Sequence, residues 1–165
     1  MVIQIASGTG KGHTKLAAFD AALHHAGVSN YNLIKLSSII PPGSIIRAKS
    51  PIETQPGKWG DRLYVVMAEM RVGIPNMEAW AGVGWVQDKK TGKGFFVEHE
   101  GANEQTVRRD IKASLEAMQG LRHVDFGDIH MEVVGRTCTH DPVCALAIAV
   151  FRADDWEPLP HFEDI

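Results

Sequence analysis

The sequence predicts an α+β fold: mostly antiparallel sheet with helices packed on the outside. Three observations carry that expectation. Candidate strands outnumber two candidate helices, links of hairpin length dominate the second half of the chain, and the final strand is almost wholly apolar and so reads as central. A chain of 165 residues, 44% hydrophobic and 22% charged, fits one domain spanning 1–165 with a real core. The sequence contains neither an internal repeat nor a low-complexity tract.

Val2 to Ala6 reads as a short apolar strand, followed by the turn-rich stretch SGTGKGHT. A helix is expected from Lys15 to His25, with Thr14 as N-cap and Gly27 as its stop. Tyr31 to Leu36 alternates as a strand and runs into Ser37-Ser38-Ile39-Ile40-Pro41-Pro42, where two prolines should end regular pairing. Ser50 to Gly60 is polar with Pro and Gly, hence a loop; Arg62 to Val72 and Ala79 to Val86 read as strands, the second loosened by Gly82 and Gly84. Asp88 to Gly94 should be a hairpin turn and Phe95 to Glu100 its returning strand. Asn103 can cap a second helix with an apolar stripe of Val107, Ile111, Leu115 and Met118. Strands are expected at Ile129–Cys138 and Val143–Phe151, and an acidic surface tail from Asp154 onward.

The bulk properties exclude several function classes. A net charge of −3 gives no electrostatic claim on nucleic acid or an anionic membrane. No apolar run approaches the roughly 20 residues that span a bilayer, and the start MVIQIASGTGKG does not read as a signal peptide. Cys138 and Cys144 make no disulfide framework, so a cytoplasmic setting is expected.

Three features invite chemistry. The first is Ser37-Ser38, at the end of an apolar strand and locked by Ile-Ile-Pro-Pro. In a strained chain the Ser38 hydroxyl can attack the Ser37 carbonyl and turn the amide into an ester. Elimination then frees Ser37 as a new C-terminus, and hydrolysis leaves a pyruvoyl ketone at position 38, an electrophile for a substrate amine. Taken alone, the pair reads first as an ordinary polar strand end. The second is Asp20, which at about 100° per residue falls near Leu16 on the helix side carrying Leu16, Phe19 and Leu23. A carboxylate on the core side calls for a cation. A substrate guanidinium, with its planar fork, or a local Lys or Arg would serve; the other reading is a rim position at the stripe's edge. The third is the strand Phe96, Glu98, Glu100, whose side chains share one face opposite Phe95, Val97 and His99. Repulsion between the two carboxylates favours retention of a proton, which suits a general acid; taken alone, EHEG reads first as a solvated strand end.

Other candidates fall away. Gly8 to Thr14 lacks the phosphate-loop spacing, because Lys11 precedes Gly12 and His13 separates that glycine from Thr14; a flexible loop entering the active site fits better. Cys138, His140 and Cys144 match no structural zinc pattern, and no metal is expected. His24-His25 at a helix end is accounted for by the helix dipole. Trp80, Trp85, Met67 and Met70 read as core or subunit interface.

The stretch AAFDAALHHAGVSNYNLIKLSSIIPPGSII resembles the corresponding region of the pyruvoyl-dependent arginine decarboxylases, with their FD-x-A-L helix, Asn-x-Asn-Leu-Ile strand and Ser-Ser-Ile-x-Pro-Pro cleavage point. GFFVEHEG is similar to that family's Glu-x-Glu-Gly strand and VCALAIAVF to its last strand, so matches span roughly Val2 to Phe151. The resemblance implies self-cleavage into 1–37 and 38–165, a covalent pyruvoyl group from Ser38, and Asn32 near the scissile carbonyl. It also implies that Asp20 receives the guanidinium of arginine and that Glu98 is the acid that completes agmatine. The same likeness implies an αββα sandwich in homotrimers, alone or paired as dimers of trimers, with active sites between subunits. Two rivals stay open: a decarboxylase of another amino acid, and an uncut relative acting as a binding or assembly subunit. Ser29 and Tyr31 depart from the family's smaller residues, and 49–60 and the tail from Asp154 show little or no likeness.

Overall fold

In the computed structural model, which describes residues 1–156, nine strands and two helices form two packed sheets. The first sheet has the order β2-β5-β9-β1-β4, from β1 (Val2–Lys11), β2 (Asn32–Lys35), β4 (Ile45–Ala48), β5 (Arg62–Val72) and β9 (Val143–Asp154). The second has the order β3-β7-β6-β8, from β3 (Ile39–Ile40), β6 (Glu78–Gln87), β7 (Gly94–Gly101) and β8 (His130–Thr137). Pairing is antiparallel except at β1/β4 and β2/β5. Helix α1 (Lys15–Ala26) packs on the first sheet and α2 (Glu104–Arg122) on the second, giving an αββα sandwich. Among the described residues no helix is long and apolar enough to cross a membrane.

Three layers of core follow. Ile3, Ile5, Ile40, Val66, Val83 and Phe96 interlock between the sheets. Phe95, Val97, Val107, Ile111 and Leu115 fill the space under α2, whose stripe is the predicted one with Met118 at its margin. Gly82 and Gly84 do not loosen β6: Val107 and Ile111 seat against them. Under α1 the sheet is β5, β9 and β1, and β9 is central as its apolar run implies.

The α1 contact corrects two expectations. SGTGKGHT is not a flexible loop; β1 continues through Lys11, hydrogen-bonded to β9 out to Val143. Gly8 and Gly10 present bare backbone to the helix, so close that a Cβ on Gly10 would lie 2.0 Å from the Ala18 carbonyl oxygen. Only small side chains fit there, so the buried face of α1 is Ala18, Ala22 and Ala26 with Leu23. The wheel built on Leu16, Phe19 and Leu23 is therefore rotated: Leu16 is 67% exposed, and Asp20 faces outward instead of coreward. Thr14 caps α1 by accepting the Ala17 N–H, and Gly27 closes it in the left-handed conformation at φ +81°.

The hairpin at 88–93 is held by Asp88, which accepts from the Thr91 hydroxyl at 2.6 Å and the Lys90 N–H at 3.0 Å. Those bonds hold its carboxyl below the usual carboxylate range. Asp154 is not the start of a tail but the last residue of β9, paired with Arg62. Of the expected tail, residues 157–165 lie outside the described residues.

Candidate active site

Strand β2 pairs with β5, and the pairing is carried one residue further by Leu36, whose N–H donates to the Val65 carbonyl at 2.8 Å. Three residues later Ile39 lies opposite Phe95 of β7, in the other sheet. Ser37 and Ser38 are thus the point where the chain crosses between sheets. Pairing resumes for Ile39 and Ile40 before the prolines stop it, a short strand that the proline pair masks in the sequence.

The crossover sets the backbone of Ser38 in the left-handed region, at φ +71°. An L-residue with a Cβ pays about 1–2 kcal/mol for that conformation. It is held there from both sides. The Phe96 N–H donates to the Ser38 carbonyl at 2.8 Å, and the Ser38 hydroxyl donates to Glu98 Oε1 at 2.5 Å. Both Ser38 and Glu98 are half-buried, whereas Ser37 is exposed. Glu98 reaches Ser38 because β7 alternates as the sequence implies: Phe96 enters the core between the sheets, Phe95 and Val97 lie under α2, and His99 Nε2 meets Ser114 Oγ of α2 at 2.8 Å. Glu100, also on the Glu98 face, is exposed at the strand's end.

This geometry joins a nucleophile, a proton acceptor and a strained peptide in one place. A carboxylate that accepts from a serine hydroxyl can take its proton as the oxygen attacks a neighbouring carbonyl. The Phe96 amide, absent from the sequence reading, fixes the carbonyl on the other side of Ser38. Its only sequence signal would have been the two-residue pairing of Ile39 and Ile40, too short to show a period.

Asp20 and Asn32 are elsewhere in the chain. Asp20 lies on the outer side of α1, on the face of the first sheet opposite Ser38; among the described residues the one basic side chain within 4.0 Å of it is His24, Nε2 to Oδ2 at 3.7 Å. It has no Lys or Arg partner within 4.0 Å among those residues. Asn32 opens β2, with its side-chain amide donating to the Gly60 carbonyl at 2.6 Å and its N–H to Asp61 at 2.8 Å. The Trp156 indole donates to the same Gly60 carbonyl at 2.9 Å. Ser37 is five extended steps along the chain from Asn32, about 16 Å at roughly 3.3 Å per residue. Within one chain the structure brings Ser38 and Glu98 together and leaves Asp20 and Asn32 apart from them.

The two cysteines face different cores, Cys138 between the sheets and Cys144 under α1. Burial, with Glu69 nearby, pushes the Cys144 thiol up to about 12. Among the described residues no three His, Cys, Asp or Glu side chains gather as a metal-ligand set.

Comparison with known proteins gives one consistent result. The family model for pyruvoyl-dependent arginine decarboxylase matches residues 2–155, through the 49–60 stretch and past Phe151. A pyruvoyl-dependent arginine decarboxylase of Halobacterium salinarum is 34% identical over 160 residues, 93% of this chain and 95% of that protein. Proteins of the same description from Methanopyrus kandleri and Thermococcus kodakarensis are 33% and 29% identical, over 89% and 88% of this chain and 93% and 91% of their own lengths.

Proposed function

The chain belongs to the pyruvoyl-dependent arginine decarboxylase family, and from that premise we propose that it cuts itself between Ser37 and Ser38 and then decarboxylates L-arginine to agmatine and CO2. The observation that carries this reading is the crossover geometry: Ser38 at φ +71°, its hydroxyl 2.5 Å from Glu98.

In processing, Glu98 takes the Ser38 Oγ proton as that oxygen attacks the Ser37 carbonyl carbon. The proton passes to the Ser38 nitrogen, which leaves as an amine, so the amide becomes an ester. Loss of the Ser38 α-proton expels the Ser37 carboxylate and leaves dehydroalanine at position 38; water then replaces its nitrogen, and ammonia departs. The fragments are 1–37 and 38–165. Strain of about 1–2 kcal/mol is worth only about tenfold in rate, whereas a positioned base contributes about 10²–10⁴-fold. Glu98 is therefore the larger effect.

The residues present fit a pyruvoyl group at position 38. The hydroxyl to be lost is there, and the Ser38 carbonyl that becomes its inner carbonyl is already held by the Phe96 N–H. When formed, the group supplies an electrophilic ketone that accepts the substrate's α-amine and takes up the electron pair as CO2 leaves. Glu98 then delivers its proton to the former α-carbon as general acid. No metal is assigned a role.

Arginine is favoured because Asp20 has no Lys or Arg partner among the described residues; a carboxylate left open matches a guanidinium fork. Asp20 and Ser38 lie on opposite faces of the first sheet, so the site is completed by a neighbouring copy in a homotrimer, alone or stacked as a dimer of trimers. The exposed Leu16, one turn before Asp20, is an apolar side chain suited to such a contact. Asn32 is assigned to processing on the same terms, reaching a scissile carbonyl across a subunit boundary.

The test is substrate-level. Purified protein incubated with arginine should release CO2 and agmatine, and with lysine or ornithine little of either. D20N should raise KM for arginine roughly 10–100-fold, the worth of a hydrogen bond to a charged group. Mixed trimers of D20N and S38A should regain activity if the site is shared between copies. Processed protein that leaves arginine untouched would end this reading.

A further inference from the structure

The turn that follows the crossover is fastened to the hairpin between β6 and β7. Ile39 and Ile40 pair with Phe95 and Gly94, and the chain then leaves the sheet at Pro41-Pro42. A strand of two residues holds little by itself, so its register depends on residues 41–44. Ser44, 5% exposed, donates its hydroxyl to the Pro41 carbonyl at 2.6 Å and closes the turn. The Gly43 N–H donates to the Thr91 carbonyl at 2.8 Å. Gln87 joins the two segments from the side. Its amide nitrogen carries two hydrogens and lies 2.8 Å from the Ser44 carbonyl oxygen and 2.8 Å from that of Gly92. Both partners are acceptors, so the amide can face them only through its nitrogen. The approach is close: a Cβ on Gly92 would lie 3.0 Å from the Gly43 and Ser44 nitrogens. Gln87 is half-buried on β6, directly opposite Gly94, and Gly94 is in turn the partner of Ile40.

A residue in the left-handed region persists only where its surroundings hold it there. On the amino side of Ser38 the Leu36 N–H is bonded to Val65. On the carboxyl side the hold passes through β3 to the 41–44 turn, and from that turn to Gln87. Resting on the self-cleavage reading above, we infer that Gln87 is a positioning residue for that cleavage: it staples the turn to the hairpin, which keeps β3 in register and the Ser38 hydroxyl on Glu98. Without the staple the chain beyond Ile40 can shift, Ser38 relaxes to a negative φ, and its oxygen leaves the carboxylate. Gln87 touches neither the scissile bond nor Glu98; its effect runs through the backbone. The role ends with the cut, because the processed chain has no Ser37–Ser38 bond left to strain.

The experiment follows the full-length chain from synthesis. It is made by cell-free translation with labelled methionine, and conversion of the uncut chain into 38–165 is timed on denaturing gels. Q87L keeps the bulk of the side chain and removes both donors. S44A removes the bond to Pro41 and leaves Gln87 in place. I148V, a mild truncation beneath α1 on the face of the first sheet away from Ser38, controls for lost stability, and Tm is measured for every variant. Q87L and S44A should cleave about tenfold more slowly than the wild type, the rate that the left-handed conformation is worth, while I148V keeps the wild-type rate. Once cut, Q87L should decarboxylate arginine with kcat and KM within about twofold of the wild type. Cleavage of Q87L and S44A at the wild-type rate, or slowed no more than I148V at an equal loss of Tm, overturns this inference and leaves the self-cleavage reading standing. So does a cut Q87L enzyme whose kcat falls as far as its cleavage rate. A wild-type chain that stays whole ends both.

Discussion

The left-handed pivot at Ser38 can be tested by comparing two uncut variants, S38A and S38G. Each removes the hydroxyl, so each loses the nucleophile and the hydrogen bond to Glu98 to the same extent. They differ by one methyl group on a backbone held at φ +71°. Alanine pays about 1–2 kcal/mol there, and glycine pays nothing. Glycine's greater freedom in the unfolded chain returns about 0.5–1 kcal/mol of that difference. S38G should therefore be the more stable variant by about 0.7 kcal/mol, a Tm difference of about 2 °C for a chain of this size. Urea unfolding followed by tryptophan fluorescence reads it, at matched protein concentration, since stability depends on concentration wherever copies of a chain associate. If S38A proves equal to S38G or more stable, the crossover holds no strain, and the ground-state contribution to cleavage must be dropped.

E98Q keeps the size of the side chain but cannot accept a proton, so cleavage should slow by about 10²–10⁴-fold; a denaturing gel time course after expression follows it, and wild-type cleavage kinetics would remove Glu98 from processing. G10A should cost about 3 kcal/mol or more, because its Cβ would sit 2.0 Å from the Ala18 carbonyl oxygen and 2.4 Å from the Ala22 nitrogen, both helix backbone. A thermal scan showing less than about 1 kcal/mol of loss would mean that α1 is free to shift. Cys144 keeps its proton to about 12, whereas an unfolded cysteine releases it near 8.5. The native protein should resist iodoacetamide at about pH 9, and stability should fall as pH climbs through that window; quick alkylation of Cys144 by mass mapping would contradict its burial.

The strands and helices legible in the sequence were those with a period to read. Val107, Ile111 and Leu115 repeat every four residues and define α2, and alternation from Phe95 to Glu100 sets Glu98 on the face opposite Phe95 and Val97. The extension of β1 was hidden because Gly8 and Gly10, normally turn residues, are there to admit the backbone of α1, a property of the helix and not of the local sequence. The same packing rotated α1: an alanine face outcompeted the larger Leu16 and Phe19, which turned Asp20 outward. Strands β3 and β4 are too short, at Ile39–Ile40 and Ile45–Ala48, to carry any period.

For the site, Ser37-Ser38 and the Glu98 strand could be picked out as strings, but their meeting could not. It depends on the chain leaving one sheet at Leu36 and entering the other at Ile39, which places the Ser38 hydroxyl against a residue sixty positions later. The positive φ of Ser38 has no sequence signature either, since the favoured residue there would be glycine.

An intact-mass spectrum of the purified protein under denaturing conditions addresses the chemistry at position 38 without intermediaries. Self-cleavage requires two species, residues 1–37 with a free carboxylate and residues 38–165 blocked to Edman degradation. Their summed mass should differ from the uncut chain only by exchange of one NH for one O. A single species at the full-chain mass, in a preparation that releases CO2 from arginine, would contradict it.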